Sequence, residues 1–173
     1  MGRNPEGRDK KLFRLLFEYL KDSDRSDQQI AKDLGISSAT VSRLKSKLIK
    51  EGFVTHFSAI PDLGKMGYDI LAFSLVKFNK DAMVGHMPEI IKKAKSWVKS
   101  QPEILFDSIA EGMETDAVTI SVHKNYAAYK DFLAQNKSTW GKFMSEVHSI
   151  LVDLKGYINK PFSFEYLTED HDK

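Results

Sequence analysis

The chain has 173 residues, enough for one domain or two small ones, and 42% hydrophobic residues from which to build a core. It has no cysteine, which excludes disulfides, thiolate nucleophiles and Cys-based zinc sites and fits a reducing cytoplasm. Net charge is only +2 but uneven: residues 1–66 hold 13 Lys+Arg and 9 Asp+Glu, residues 67–173 hold 13 and 15, so the two parts carry +4 and −2.

The first eight residues, with Gly, Asn, Pro and charges, are predicted to be disordered. They hold no apolar signal segment. The longest mainly apolar run, Ile70 to Val76, is far too short to span a bilayer. A first helix is predicted from Asp9 to Leu20, with Leu12, Leu15, Leu16 and Leu20 on one face. After a polar connector, Ser26 and Gln29 fit a capping box that opens a second helix. Ile30, Ala31 and Leu34 form its apolar stripe, and Gly35 can end it in the left-handed conformation. Ile36 anchors the turn. Ser37 caps a third helix whose Val41, Leu44 and Leu48 face inward. A small residue at Ala31, a turn glycine at Gly35 and apolar residues at Val41 and Leu44 are what two steeply crossed helices require. The pair is therefore a helix-turn-helix.

Its outer side carries the candidate DNA contacts. Residues 37–50 contain Arg43, Lys45, Lys47 and Lys50 and no acid, the electrostatic footprint of phosphate contact. Arg43 can donate two hydrogen bonds to a guanine edge. Ser37, Ser38, Ser42 and Ser46 can reach phosphates or base edges, as can Lys45 and Lys47. Thr40 is either a contact or only a local helix-start residue. Gln28, at the start of the second helix, is placed to hold a phosphate. Phe53 to Ile60 then reads as a strand or wing, completing a winged helix-turn-helix over residues 1–60.

Pro61 to Gly67, with two Gly and one Pro, marks a linker. Beyond it the elements alternate: a strand from Tyr68 to Phe78, a helix from Asp81 to about Ser100 and a strand from Ile104 to Ala110. A loop at Glu111–Thr115, a strand from Asp116 to His123 and a helix from Asn125 to about Glu146 follow. A strand from Val147 to Leu154 and a strand-like tail from Pro161 to Leu167 close the chain. The order β-α-β-β-α-β is ferredoxin-like, so the fold class is α+β with residues 68–173 as the second domain. One face of such a sheet is bare, and apolar residues there predict a homodimer or larger homo-oligomer.

The sequence resembles the Lrp/AsnC, or feast/famine, regulators. Leu15-Leu16 with Asp22 to Ser26 is similar to that family's first helix and connector. Ile30-Ala31-Lys32, Leu34-Gly35-Ile36-Ser37 and Thr40-Val41-Ser42 are similar to its helix-turn-helix. Leu48, Gly52-Phe53-Val54, and Leu63-Gly64 with Gly67-Tyr68 are similar to its wing and its entry into the second domain. Residues 68–167 match in element order more than in motif. The family shows Gly-x-x-Asp between the second and third strands of that domain. Here Gly112-Met-Glu-Thr-Asp116 is one residue longer, and the helix after it is extended through Lys137-Ser-Thr-Trp140-Gly-Lys. The resemblance implies a DNA-binding transcriptional regulator, with an effector such as an amino acid near Gly112, Glu114 and Asp116. A solvated acidic turn is the plainer reading of those three.

His56, His86, His123, His148 and His171 lack the spacing of paired ligands, so no metal is expected. Trp97 and Trp140 read as core or interface anchors. No P-loop, dinucleotide fingerprint or nucleophile elbow is present, so neither a cofactor nor an enzyme is expected. Two alternatives remain on the same plan. A siroheme-decarboxylase-like enzyme would be expected to carry His and Tyr in and near the second strand, and Ile104–Ala110 has neither. An architectural DNA binder without effector would be expected to be more basic.

Overall fold

The computed structural model describes residues 10–85 and 87–171. The expected disordered start, the helix position at Asp9, and His86 lie outside them. Described residues up to Ile60, with those from Lys160 onward, form one compact unit; Pro61–Asn159 form another.

The first unit holds α1 (Lys10–Lys21), α2 (Asp27–Leu34) and α3 (Ser38–Lys50). Ser26 caps α2 reciprocally: its Oγ accepts from Gln29 N at 3.3 Å, and Gln29 Oε1 accepts from Ser26 N at 2.7 Å. Gly35 is left-handed at φ 66°, and Gly35 and Ile36 donate back to the carbonyls of Lys32 and Ala31. That is a Schellman ending, with Ile36 as its apolar contact. Gly52 (φ 77°) and Phe53 end α3 in the same way, donating to Ile49 and Leu48. Leu12, Leu15, Tyr19, Ile30, Ala31, Val41, Leu44 and Leu48 form the buried core. Arg25 adds a polar clamp that the sequence did not reveal. It donates to Glu18 Oε2 at 2.8 Å, to the Glu18 carbonyl at 2.7 Å and to Asp33 Oδ2 at 2.9 Å, tying α1 to α2. Burial pushes the Glu18 carboxyl up, but the hydrogen bonds from Arg25 and Lys21 outweigh it and leave the group below its ordinary value.

The expected strand at Phe53–Ile60 does not form; the segment bends at Phe53 and Thr55 and makes no ladder bonds. An isolated strand has no partner for its N–H and C=O groups. Phe57 is instead pinned against Tyr19, ring centroids 5.1 Å apart. The tail is likewise not a strand: Glu165–His171 form a 3-10 segment that packs on α1.

The second unit holds β1 (Ile70–Phe78), α4 (Lys80–Met83), α5 (Met87–Ser100), β2 (Ile104–Gly112), β3 (Thr115–His123), α6 (Tyr126–Trp140) and β4 (Met144–Asp153). The sheet is antiparallel in the order β2-β3-β1-β4, the ferredoxin-like arrangement. Pro61–Gly67 is not a free linker. Its turns are hydrogen-bonded, Met66 N to Asp62 O and Tyr68 N to Leu63 O, and it belongs to this unit. The long helix expected at Asp81–Ser100 is split, because Gly85 takes φ 79° and Pro88 cannot donate to a preceding turn. The helix expected to run to Glu146 stops at Trp140; a 3-10 turn, Gly141–Phe143, then leads into β4 three residues earlier than the alternation suggested.

One sheet face carries small residues under the helices: Ala72 pairs with Ser121, both fully buried. His123 lies on this face between Tyr129 and Phe132, ring centroids 5.3 and 5.0 Å away, with Nε2 2.8 Å from Ser121 Oγ. Burial lowers its pKa, opposed by the charge of Glu103. The unfolded chain therefore binds the proton first as pH falls. Stability should decline as pH drops from the ordinary histidine value toward the lower folded value, and this component should be absent above that window. His123→Gln, neutral throughout, should flatten that part of a denaturation-versus-pH profile by up to about one proton.

Candidate nucleic-acid interface

Burial of Val41, Leu44 and Leu48 fixes the rotation of α3, so Ser38, Ser42, Arg43, Ser46 and Lys50 are exposed. Ser37 is the cap: its Oγ accepts from Thr40 N at 3.2 Å and lies 2.9 Å from Thr40 Oγ1. Thr40 is half-buried and tied to that cap, which is its local role. Ser46 donates its hydroxyl to the Ser42 carbonyl at 3.0 Å and keeps its acceptor capacity toward solvent. Arg43 makes no hydrogen bond or ion pair among the described residues, so its five donors are free. Lys47 lies 4.0 Å from Glu51, on the flank of the face. Gln28 is exposed in the first turn of α2.

Lys45 departs from the others. Its Nζ sits 5.3 Å from the Tyr19 ring centroid, 4.9 Å from that of Phe57 and 3.9 Å from Asp27 Oδ1. It joins α3 to α1 and α2, away from the exposed face. The Tyr19 hydroxyl lies 3.4 Å from Asp27 Oδ1, and burial with the Asp27 charge pushes it up to about 12. Lys50, exposed and without an ion pair among the described residues, is a cation on the face that the sequence reading counted in its basic run but did not place among the individual contacts. Spacing could have found it: Lys50 follows Arg43 by two turns, whereas Lys45 is next to inward-facing Leu44.

The second unit places Glu114 and Asp116 in one open cleft of about 490 Å³ with Lys77, Lys80 and Ser145. Both carboxylates already have partners. Lys77 Nζ donates to Glu114 at 2.6 Å, which holds the Lys77 pKa up and that of Glu114 down. Asp116 Oδ2 accepts from Phe78 N at 2.8 Å, and Lys80 lies 3.7 Å from its other oxygen. Gly112 does not line the cleft. It ends β2 at φ 121° opposite Thr115, and a two-residue turn follows with Met113 and Glu114 at φ 50° and 56°. The expected five-residue loop is thus a type I′ hairpin turn, formed without the Asn-Gly such turns favour. The described residues contain no cluster suited to a metal and no helix long and apolar enough to cross a membrane.

Comparison with known proteins bears on both units. A winged helix-turn-helix DNA-binding family matches residues 8–55. An HTH-type transcriptional regulator of Pyrococcus horikoshii is 25% identical over 147 residues, 85% of each chain. The leucine-responsive regulatory protein of Rhizobium meliloti is 26% identical over 125 residues, 71% of this chain and 75% of that protein. In fold, an AsnC family transcriptional regulator from Agrobacterium tumefaciens is similar with TM-score 0.71 and 20% identity, covering 92% of this chain and 99% of that one. A transcriptional regulator from Neisseria meningitidis, solved as an L-Met complex, is similar with TM-score 0.70 and 17% identity over 92% of this chain and 99% of that one. The resemblance to Lrp/AsnC regulators read from the sequence is borne out, as is the α+β fold.

The geometry separates two lysines. Lys45→Ala should lower thermal stability and leave the salt dependence of DNA affinity almost unchanged. Lys50→Ala should do the reverse, reducing the slope of log affinity against log salt by about 1.

Proposed function

We propose that this chain, a DNA-binding transcriptional regulator of Lrp/AsnC architecture, reads specific operator sequences with α3 as a homodimer or larger homo-oligomer. The single observation that carries the reading is the exposed, unpaired Arg43 among Ser38, Ser42 and Ser46 on a doubly capped helix. Base edges in the major groove offer the acceptors that Arg43 lacks. Ser37 and Gln28 lie at helix starts, where phosphates bind. Relatives named as transcriptional regulators support a non-enzymatic role, and a DNA-binding role supports a cytoplasmic location.

Dimerisation rests on the bare sheet face. Phe73 stands between Ile120 and Ile150, and Ile150 is 61% exposed. A row of this kind is covered when a second copy packs on it. Effector binding rests on the cleft of Glu114 and Asp116, whose carboxylates suit an ammonium group, and on the L-Met complex of the Neisseria relative. A ligand there must displace Lys77 or Lys80 or bind between them. Both can yield, since exposed ion pairs are weak.

Arg43→Ala should cost about 1–3 kcal/mol with the preferred operator and relax base preference at one position. Wild-type affinity of the variant for the operator, with wild-type preference over scrambled DNA, would remove α3 from the interface. A two-fold dimer also predicts a pseudo-palindromic operator with half-sites about 10–10.5 bp apart or a multiple. Inserting about 5 bp between them should reduce affinity sharply, and about 10 bp should restore part of it.

The effector reading is tested with a panel of amino acids against the full chain. At least one should raise the melting temperature or change operator affinity, and Glu114→Gln should abolish that response. A panel without any shift would leave the cleft as a solvated acidic turn.

A further inference from the structure

We propose that a second cleft in the Pro61–Asn159 unit, apart from that of Glu114 and Asp116, binds a small carboxylate with an apolar body, aromatic or branched. It lies between α5 and the turn that ends α6, and its volume is about 410 Å³. That is within the range of small-ligand sites.

Three observations converge on it. The first is an apolar wall. Ile90 is 7% exposed, and Trp140 is held edge-on to Trp97 at 6.0 Å and 6.3 Å from Phe143, so the aromatic surface is preset. The second is a donor without an acceptor. Trp140 Nε1 is buried and has no hydrogen-bond partner, alone in this respect among the side chains of the described residues. A buried N–H left unpaired in a native fold calls for an explanation. A ligand oxygen is the acceptor it lacks. The third is unspent positive charge at the rim. Lys93 and Lys142 make no ion pair among the described residues, and the Lys142 ammonium lies 4.6 Å above the Phe143 ring. Glu89, one turn before Lys93, does not bridge to it, so the rim keeps two ammonium groups against one carboxylate.

The chain's course explains the convergence. Gly141 donates to the Lys137 carbonyl and ends α6, and the 3-10 turn Gly141–Phe143 carries Lys142 and Phe143 to the cleft that Ile90 and Lys93 line. Two ammonium groups hold one carboxylate by charge-assisted hydrogen bonds, while the rings and Ile90 cover the apolar body. An anion with no apolar part, such as inorganic phosphate, gains only the rim.

The test uses the full chain and its intrinsic fluorescence. The sequence has two tryptophans, so Trp97→Phe leaves Trp140 as the reporter. In that variant and in the native chain, millimolar phenylacetate should change the emission saturably and raise the melting temperature. Phenylacetamide and inorganic phosphate should each bind at least about tenfold more weakly. Lys93→Ala and Lys142→Ala, at exposed positions, should keep the native circular dichroism and weaken phenylacetate several-fold. Trp140→Phe, which keeps a ring and removes the donor, should weaken it as well. The proposal is overturned if phenylacetate and 4-methylpentanoate both leave emission and melting unchanged. It is also overturned if acid and amide bind alike, or if both lysine variants bind as the native chain does. None of these readouts requires DNA, so failure here leaves the regulator reading standing.

Discussion

Three buried side chains on α3 govern what the first unit can do. Val41, Leu44 and Leu48 lock into the core made by α1 and α2, and that fixes the rotation of the helix about its axis. A helix with such a stripe has no freedom to choose its outer face. Arg43, Ser42 and Ser46 point outward because their neighbours are held inward. The caps at Ser26 and Ser37 and the two Schellman endings set the lengths of α2 and α3 as well. The outward face of α3 is thus a consequence of packing rather than an addition to it.

Charge on that unit is divided between holding and reaching. Arg25 and Lys45 are spent inside the fold, one joining Glu18 to Asp33, the other over Tyr19 and Phe57 beside Asp27. Arg43 and Lys50 are left toward solvent. A count of positive charge therefore overstates what is available to phosphates. The balance matters because a buried or half-buried cation with good partners stabilises the fold but adds little to a salt-dependent association.

The second unit shows a related division between its sheet faces. Small residues, Ala72, Ser74, Ala117 and Ser121, let α6 lie close enough for Tyr129 and Phe132 to be buried. Large residues, Phe73, Ile120 and Ile150, fall on the opposite face, where no helix of this unit covers them. The alternation of a strand makes such a sorting automatic once register is set. Chain reversals and element ends supply most of the side chains of both clefts, with Lys93 added from within α5.

Local signals were enough for the helix-turn-helix and for the order of strands and helices in the second unit. Caps, turn glycines and periodicity act over a few residues, so Ser26, Gly35, Ser37 and the stripe of α3 could be read directly from the chain. The same signals failed where a partner decides the outcome. Phe53–Ile60 alternates like a strand but has no neighbour to pair with, and β4 begins at Met144 because β1 is there to receive it. Pro61–Gly67 has linker composition, yet its turns close within the second unit. The Met113–Glu114 turn carries no turn signature and is imposed by the register of β2 and β3. Tertiary structure alone decided that Lys45 turns inward and that Arg25 clamps two helices. It alone joined Lys93 to Lys142 and Trp140 around one cleft. Those outcomes depend on distances between residues far apart in sequence, which no local periodicity encodes.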